Sequence, residues 1–75
     1  MAIAYILITS EPAKEYVTYN ALCKLTEVEE IYPLFGDWDI IVKISAEGDE
    51  ELKDKILGKI RPVEGILATK TLIGY

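Results

Sequence analysis

The 75-residue sequence has no histidine and a single cysteine, Cys23. Without histidine it lacks the commonest general base and the commonest metal ligand. One cysteine excludes an internal disulfide framework and a cysteine-based zinc site, and a lone thiol suits a reducing, cytoplasmic setting. Bases are also few: 8 Lys and Arg stand against 13 Asp and Glu, a formal charge of −5, with an isoelectric point of about 4.6. A chain of that sign repels a phosphate backbone, so no direct contact with nucleic acid is expected. The longest apolar run, Ile3–Ile8, is far short of the ~20 residues that cross a bilayer. No basic segment precedes it, so neither a membrane span nor a secretory signal is expected.

Apolar material is abundant. Hydrophobic residues make up 51% of the chain and mean hydropathy is +0.19. A chain this short buries only about 60–65% of the surface it exposes when unfolded. Small domains without disulfides or metal often gain their stability from a partner, so an oligomer is expected. Only Met1 precedes the first apolar segment, and there is no internal repeat, low-complexity stretch or linker. One domain over residues 1–75 is the expectation.

Residues 2–9 are rich in β-branched and aromatic types and apolar on both faces, with Ile3, Tyr5 and Leu7 opposite Ala4, Ile6 and Ile8. Such a strand is covered on both sides. Ser10-Glu11-Pro12 reads as a helix start, and Ala13, Val17, Ala21 and Leu25 share a helical face. This predicts a helix from about 12 to 25. A second strand is read at Glu27–Phe35, placed at an edge or broken by Pro33. Gly36-Asp37 signals a two-residue hairpin, and Ile40–Ala46 forms the third strand. Asp49 is the expected N-cap of a second helix, with Leu52, Ile56 and Ile60 on one face and Pro62 ending it. Ile66–Ile73 is the fourth strand. The order βαββαβ defines an α+β, ferredoxin-like fold: a four-stranded antiparallel sheet, strands one and three central, both helices on one face. Strands one, three and four give the other face an apolar set of its own, and a second copy packed sheet to sheet would cover it.

The most informative stretch is Gly36-Asp37-Trp38-Asp39. Two carboxylates suit an ammonium group, and a glycine turn offers backbone N–H groups to a carboxylate. Together they match a free amino acid. The same tetrapeptide is also ordinary hairpin chemistry, with solvated acids and a tryptophan plugging the core. Thr69 and Thr71 either line a polar patch near this loop or serve as β-branched strand formers. Cys23 reads as a buried, inert filler, the acid runs Glu29-Glu30 and Asp49-Glu50-Glu51 as solvated faces. Tyr5, Tyr16, Tyr19 and Tyr32 suit core or interface. No metal site, cofactor motif or catalytic set is present in the pattern, so binding is expected rather than catalysis.

These residues resemble the effector-binding (RAM) domain of the Lrp/AsnC feast/famine transcriptional regulators. The resemblance rests on Phe35-Gly36-Asp37-Trp38-Asp39-Ile40-Ile41-Val42-Lys43, similar to the family's Gly-Asp-aromatic-Asp loop. It rests also on Ile60–Ile66 followed by Thr69-Lys70-Thr71-Leu72, and on the element order. Family regulators carry an N-terminal helix-turn-helix domain that this sequence lacks, and Val63-Glu64-Gly65 departs from the family's tighter Pro-Gly-Val turn. The resemblance therefore implies a stand-alone RAM domain. It implies a homodimer in a dimeric α+β barrel, rings such as octamers, and a free amino acid bound between dimers. Gly36, Asp37, Trp38 and Asp39 would form the ligand loop, with Leu34, Thr69 and Thr71 bordering it. A full-length Lrp/AsnC regulator is the implied further partner. Two other readings stay open at this point: a small dimeric α+β barrel enzyme of the cofactor-free monooxygenase or isomerase type, and a purely structural oligomer.

Overall fold

The structure, a computed structural model, describes residues 1–74; Tyr75, part of the domain expected over 1–75, lies outside the described residues. The elements are β1 (Ala2–Ser10), α1 (Glu15–Cys23), β2 (Glu30–Pro33), β3 (Ile40–Ala46), α2 (Asp49–Lys55) and β4 (Ile66–Gly74), with a π-helical turn at Ile56–Ile60 following α2. The strands form one antiparallel sheet in the order β2-β3-β1-β4. This is the ferredoxin-like α+β arrangement, with β1 and β3 central. Pro33 ends the edge strand, where a missing N–H takes nothing from the ladder.

One face of the sheet holds the core. Ala4, Ile6, Ile8, Val42 and Ile44 are fully buried together with Leu22 of α1, Leu52 of α2 and Ile60. Each large side chain so buried contributes about 1.5–3 kcal/mol relative to exposure. The register puts Ile3, Tyr5, Leu7, Ile41 and Leu72 on the opposite face, which neither helix covers. Tyr5 and Leu72 there remain 41% and 47% exposed.

The helices depart from expectation in instructive ways. α1 starts at Glu15, not near Pro12, because Ala13 adopts a left-handed φ of 69° and turns the chain. The buried residues of α1 are Thr18 and Leu22, with Tyr19 and Leu25 packed at the margin; Val17, in the expected stripe, is 46% exposed. A buried threonine is tolerated because its hydroxyl donates to the Glu64 carbonyl at 2.9 Å. Cys23 is exposed rather than a buried filler. At α2 the N-cap is Gly48, without a side-chain cap bond. Asp49 is instead the first helical residue, where its charge complements the helix dipole. The chain leaves the π-helical turn through Arg61 N–H bonded to the Ile56 carbonyl at 3.0 Å, just ahead of Pro62.

β2 is shorter than Glu27–Phe35, although Glu29 N–H to Lys43 O (2.8 Å) and Leu34 N–H to Asp39 O (2.7 Å) continue the pairing at each end. The register of Pro33 opposite Ile40, carried forward, leaves Gly36 and Asp37 at the apex, where the hairpin signal put them. Gly65, at φ 89°, makes the turn into β4, and its carbonyl accepts Glu11 N–H at 2.7 Å.

Candidate functional site

The β2–β3 hairpin projects beyond the sheet and is pinned at its base. Asp39 N–H donates to the Ile8 carbonyl at 2.8 Å. Asp39 Oδ2 accepts from Ser10 N–H at 2.9 Å and from Ser10 Oγ at 3.1 Å. Ser10 is therefore spent on the hairpin rather than on starting α1. At the tip, Gly36 has φ 120°, Asp37 is exposed, and Leu34 and Trp38 are half-buried. Phe35 is fully exposed, with a relative accessibility of 106%. The tip thus presents one free carboxylate, Asp37, on a backbone fixed by the second, Asp39.

Because Asp39 satisfies the buried Ser10, Asp39→Ala is expected to lower stability by about 1.5–3 kcal/mol. Asp39→Asn, which keeps an acceptor for Ser10, is expected to retain most of it. Urea unfolding of the two variants checks this; equal losses would show that the charge, not the acceptor, matters.

Thr69 and Thr71 do not join the hairpin. They face the α2 side of β4 and line a groove of about 640 Å³ together with Lys53, Arg61 and Asp49. Strand β1 lies between β3 and β4. A separate cleft of about 530 Å³ runs between α1 and the hairpin base; Asp39 and Pro33 border it, and the tip residues do not. Its α1 wall, Tyr16 and Tyr19, was read in the sequence only as suited to core or interface. The Ser10–Asp39 clamp, 29 residues apart in the chain, leaves no local sequence signal.

On the uncovered sheet face Glu30 accepts from Tyr32 Oη at 3.1 Å and from Lys43 Nζ at 3.4 Å. The hydrogen bond to Glu30, reinforced by its charge, raises the Tyr32 pKa above the ordinary tyrosine value. The same acceptor, followed by Tyr5 and the Glu30 charge, raises that of Lys43. With both folded values raised, the attached stability is complete below the unfolded pKa and lost only as pH climbs through the folded one. At neutral pH the ion pair is therefore a constant feature of the face. Among the described residues no group of acids and cysteine converges to hold a metal ion, and no helix is long and apolar enough to cross a membrane.

The sheet order, the two helices on one face and the projecting hairpin define a ferredoxin-like α+β domain. The family model described as Lrp/AsnC ligand binding domain matches residues 3–74, and the chain belongs to that family. HTH-type transcriptional regulator FL11 of Pyrococcus furiosus is 35% identical over 71 residues, covering 95% of this chain and 46% of that protein. The chain spans about half the length of the curated relatives it matches. Among solved structures, hypothetical protein PHS023 from Pyrococcus horikoshii is similar with a TM-score of 0.89 and 33% identity, over 100% of this chain and 90% of that one. The complex of transcriptional regulator NMB0573 with L-Met from Neisseria meningitidis has a TM-score of 0.84 at 14% identity, over 99% of this chain and 49% of that one, a likeness of fold. Family membership supports a regulatory ligand-binding role.

Proposed function

We propose that the chain is a non-enzymatic amino-acid-sensing and assembly module that modulates Lrp/AsnC-type transcription without touching DNA itself. In this reading residues 1–75 form one ligand-binding domain that works in the cytoplasm. It dimerises through the uncovered sheet face, builds octamer-like rings, and co-assembles with a full-length family regulator. The effector sits at a subunit boundary, with Gly36, Asp37, Trp38 and Asp39 of one copy, bordered by Leu34, facing Thr69 and Thr71 of another.

The observation that carries this reading is the separation of the two residue sets within one chain. The hairpin offers two acids and no base, whereas the threonine groove holds two bases, Lys53 and Arg61, against one acid, Asp49. An α-amino acid needs partners for both signs on adjacent atoms. A copy-to-copy contact supplies the hairpin's acid to the ammonium and the groove's base and hydroxyls to the carboxylate. The relatives' names as transcriptional regulators favour sensing over catalysis, and the L-Met complex of the Neisseria regulator favours an amino acid as ligand. The net charge of −5 opposes a phosphate backbone.

Complementation tests the boundary site. The Asp37→Ala/Asp39→Asn variant and the Thr69→Val/Thr71→Val variant are each expected to lose amino-acid binding. Mixed and exchanged in one oligomer, they are expected to recover part of it, because some sites then pair an intact hairpin with an intact groove. Full loss in the mixture, with mixed oligomers shown by mass spectrometry, would contradict a site shared between copies.

A further inference from the structure

We infer that the cleft between α1 and the hairpin base binds an organic ammonium ion that carries no carboxylate. The cleft, about 530 Å³, takes its apolar wall from Tyr16, Tyr19, Pro33 and Ile40, and its charged lining groups are Glu15 and Asp39. Both charges are acids; no Lys or Arg lines it. Lys14, adjoining in sequence, reaches away to Glu64 at 3.9 Å. The field inside the cleft is therefore of one sign. An ammonium is attracted by it, while the carboxylate of a zwitterion meets like charge and no cationic partner, the tyrosine hydroxyls being the only side-chain donors in the lining. Tyr16 and Tyr19, three residues apart, stand on one side of α1, positioned for cation–π contact with a ligand cation. Asp39 Oδ2 takes both hydrogen bonds from Ser10; Oδ1 accepts none among the described residues and remains for an N–H donor. The ligand is thus an amine on a hydrocarbon or aromatic body. Asp39 borders this cleft and the proposed amino-acid site alike, but Glu15, Tyr16 and Tyr19 belong to the cleft alone.

NMR titration with phenethylamine, L-phenylalanine and phenethyl alcohol separates the contributions of charge, carboxylate and ring. Phenethylamine is expected to shift the Tyr16 and Tyr19 resonances saturably, and the other two compounds to bind there at least about tenfold more weakly. Tyr16 is 79% exposed and Glu15 is exposed, so Tyr16→Ala and Glu15→Gln spare the fold. Each is expected to weaken phenethylamine about threefold to tenfold and to leave amino-acid binding at the hairpin tip unchanged. Absence of a saturable shift with the amine, equal or tighter binding of L-phenylalanine at the two tyrosines, or insensitivity to both variants would overturn the inference. Failure of the amino-acid reading shows elsewhere, as absence of any amino-acid shift at Gly36, Asp37 and Trp38.

Discussion

Gly65→Ala is expected to lower the unfolding free energy by about 2–4 kcal/mol, which for a chain this short is a fall in Tm of at least about 10 °C at fixed protein concentration. Two costs combine. Gly65 holds φ 89°, a conformation that costs an L-residue about 1–2 kcal/mol. A Cβ there also runs into the Thr18 hydroxyl and comes within 3.2 Å of Lys14 Cβ. Thr18 is fully buried, and its hydroxyl yields space only by giving up the bond to the Glu64 carbonyl. In a Thr18→Ala background the clash with the hydroxyl vanishes, leaving the backbone cost and the closer approach to Lys14 Cβ. Thermal unfolding of the four chains in that double-mutant cycle measures the coupling. The same loss in both backgrounds would mean that Thr18 is not what the new methyl meets.

Asp37→Ala is expected to weaken amino-acid binding about tenfold to a hundredfold, the worth of one charge-assisted hydrogen bond to the ammonium, at unchanged stability. Asp37 is exposed and makes no contact on which the fold depends. Asp39 is different, since it anchors the hairpin to Ser10. Removing its charge alone, as Asp39→Asn, reads out ligand recognition, whereas Asp39→Ala mixes recognition with loss of the anchor. Gly36→Val is expected to act through the φ of 120° rather than through crowding, because nothing lies within 4 Å of the position its Cβ would take. Affinities and unfolding midpoints measured on the same preparations separate these effects.

The sheet was legible in the sequence because its signals are redundant. Apolar residues on both faces of β1 can only mean a central strand, Pro33 can only sit at an edge or an end, and Gly36-Asp37 marks the apex between two apolar runs. α1 was harder to read because its buried face is set by a tertiary hydrogen bond. Thr18 is inside because Glu64, 46 residues away, offers a carbonyl, and no periodicity announces such a partner. Ser10 misled for the same reason: local chemistry proposes a helix start, but Asp39 takes its donors. Of the candidate site, the hairpin was visible as a motif. The separation of Thr69 and Thr71 from it was not, since strand order and side-chain direction together decide that they open toward α2. Tyr16 and Tyr19 carried no motif; only the packing of α1 against the hairpin base makes them a wall.

Calorimetric titration of the wild-type chain with each proteinogenic amino acid, repeated on the Asp37→Ala/Asp39→Asn variant, tests the sensing role most directly. Saturable binding of at least one amino acid to the wild type is expected, weakened by about tenfold or more in a variant that remains folded. Binding of no amino acid by the wild type, or an unchanged affinity in the folded variant, would refute the sensing role.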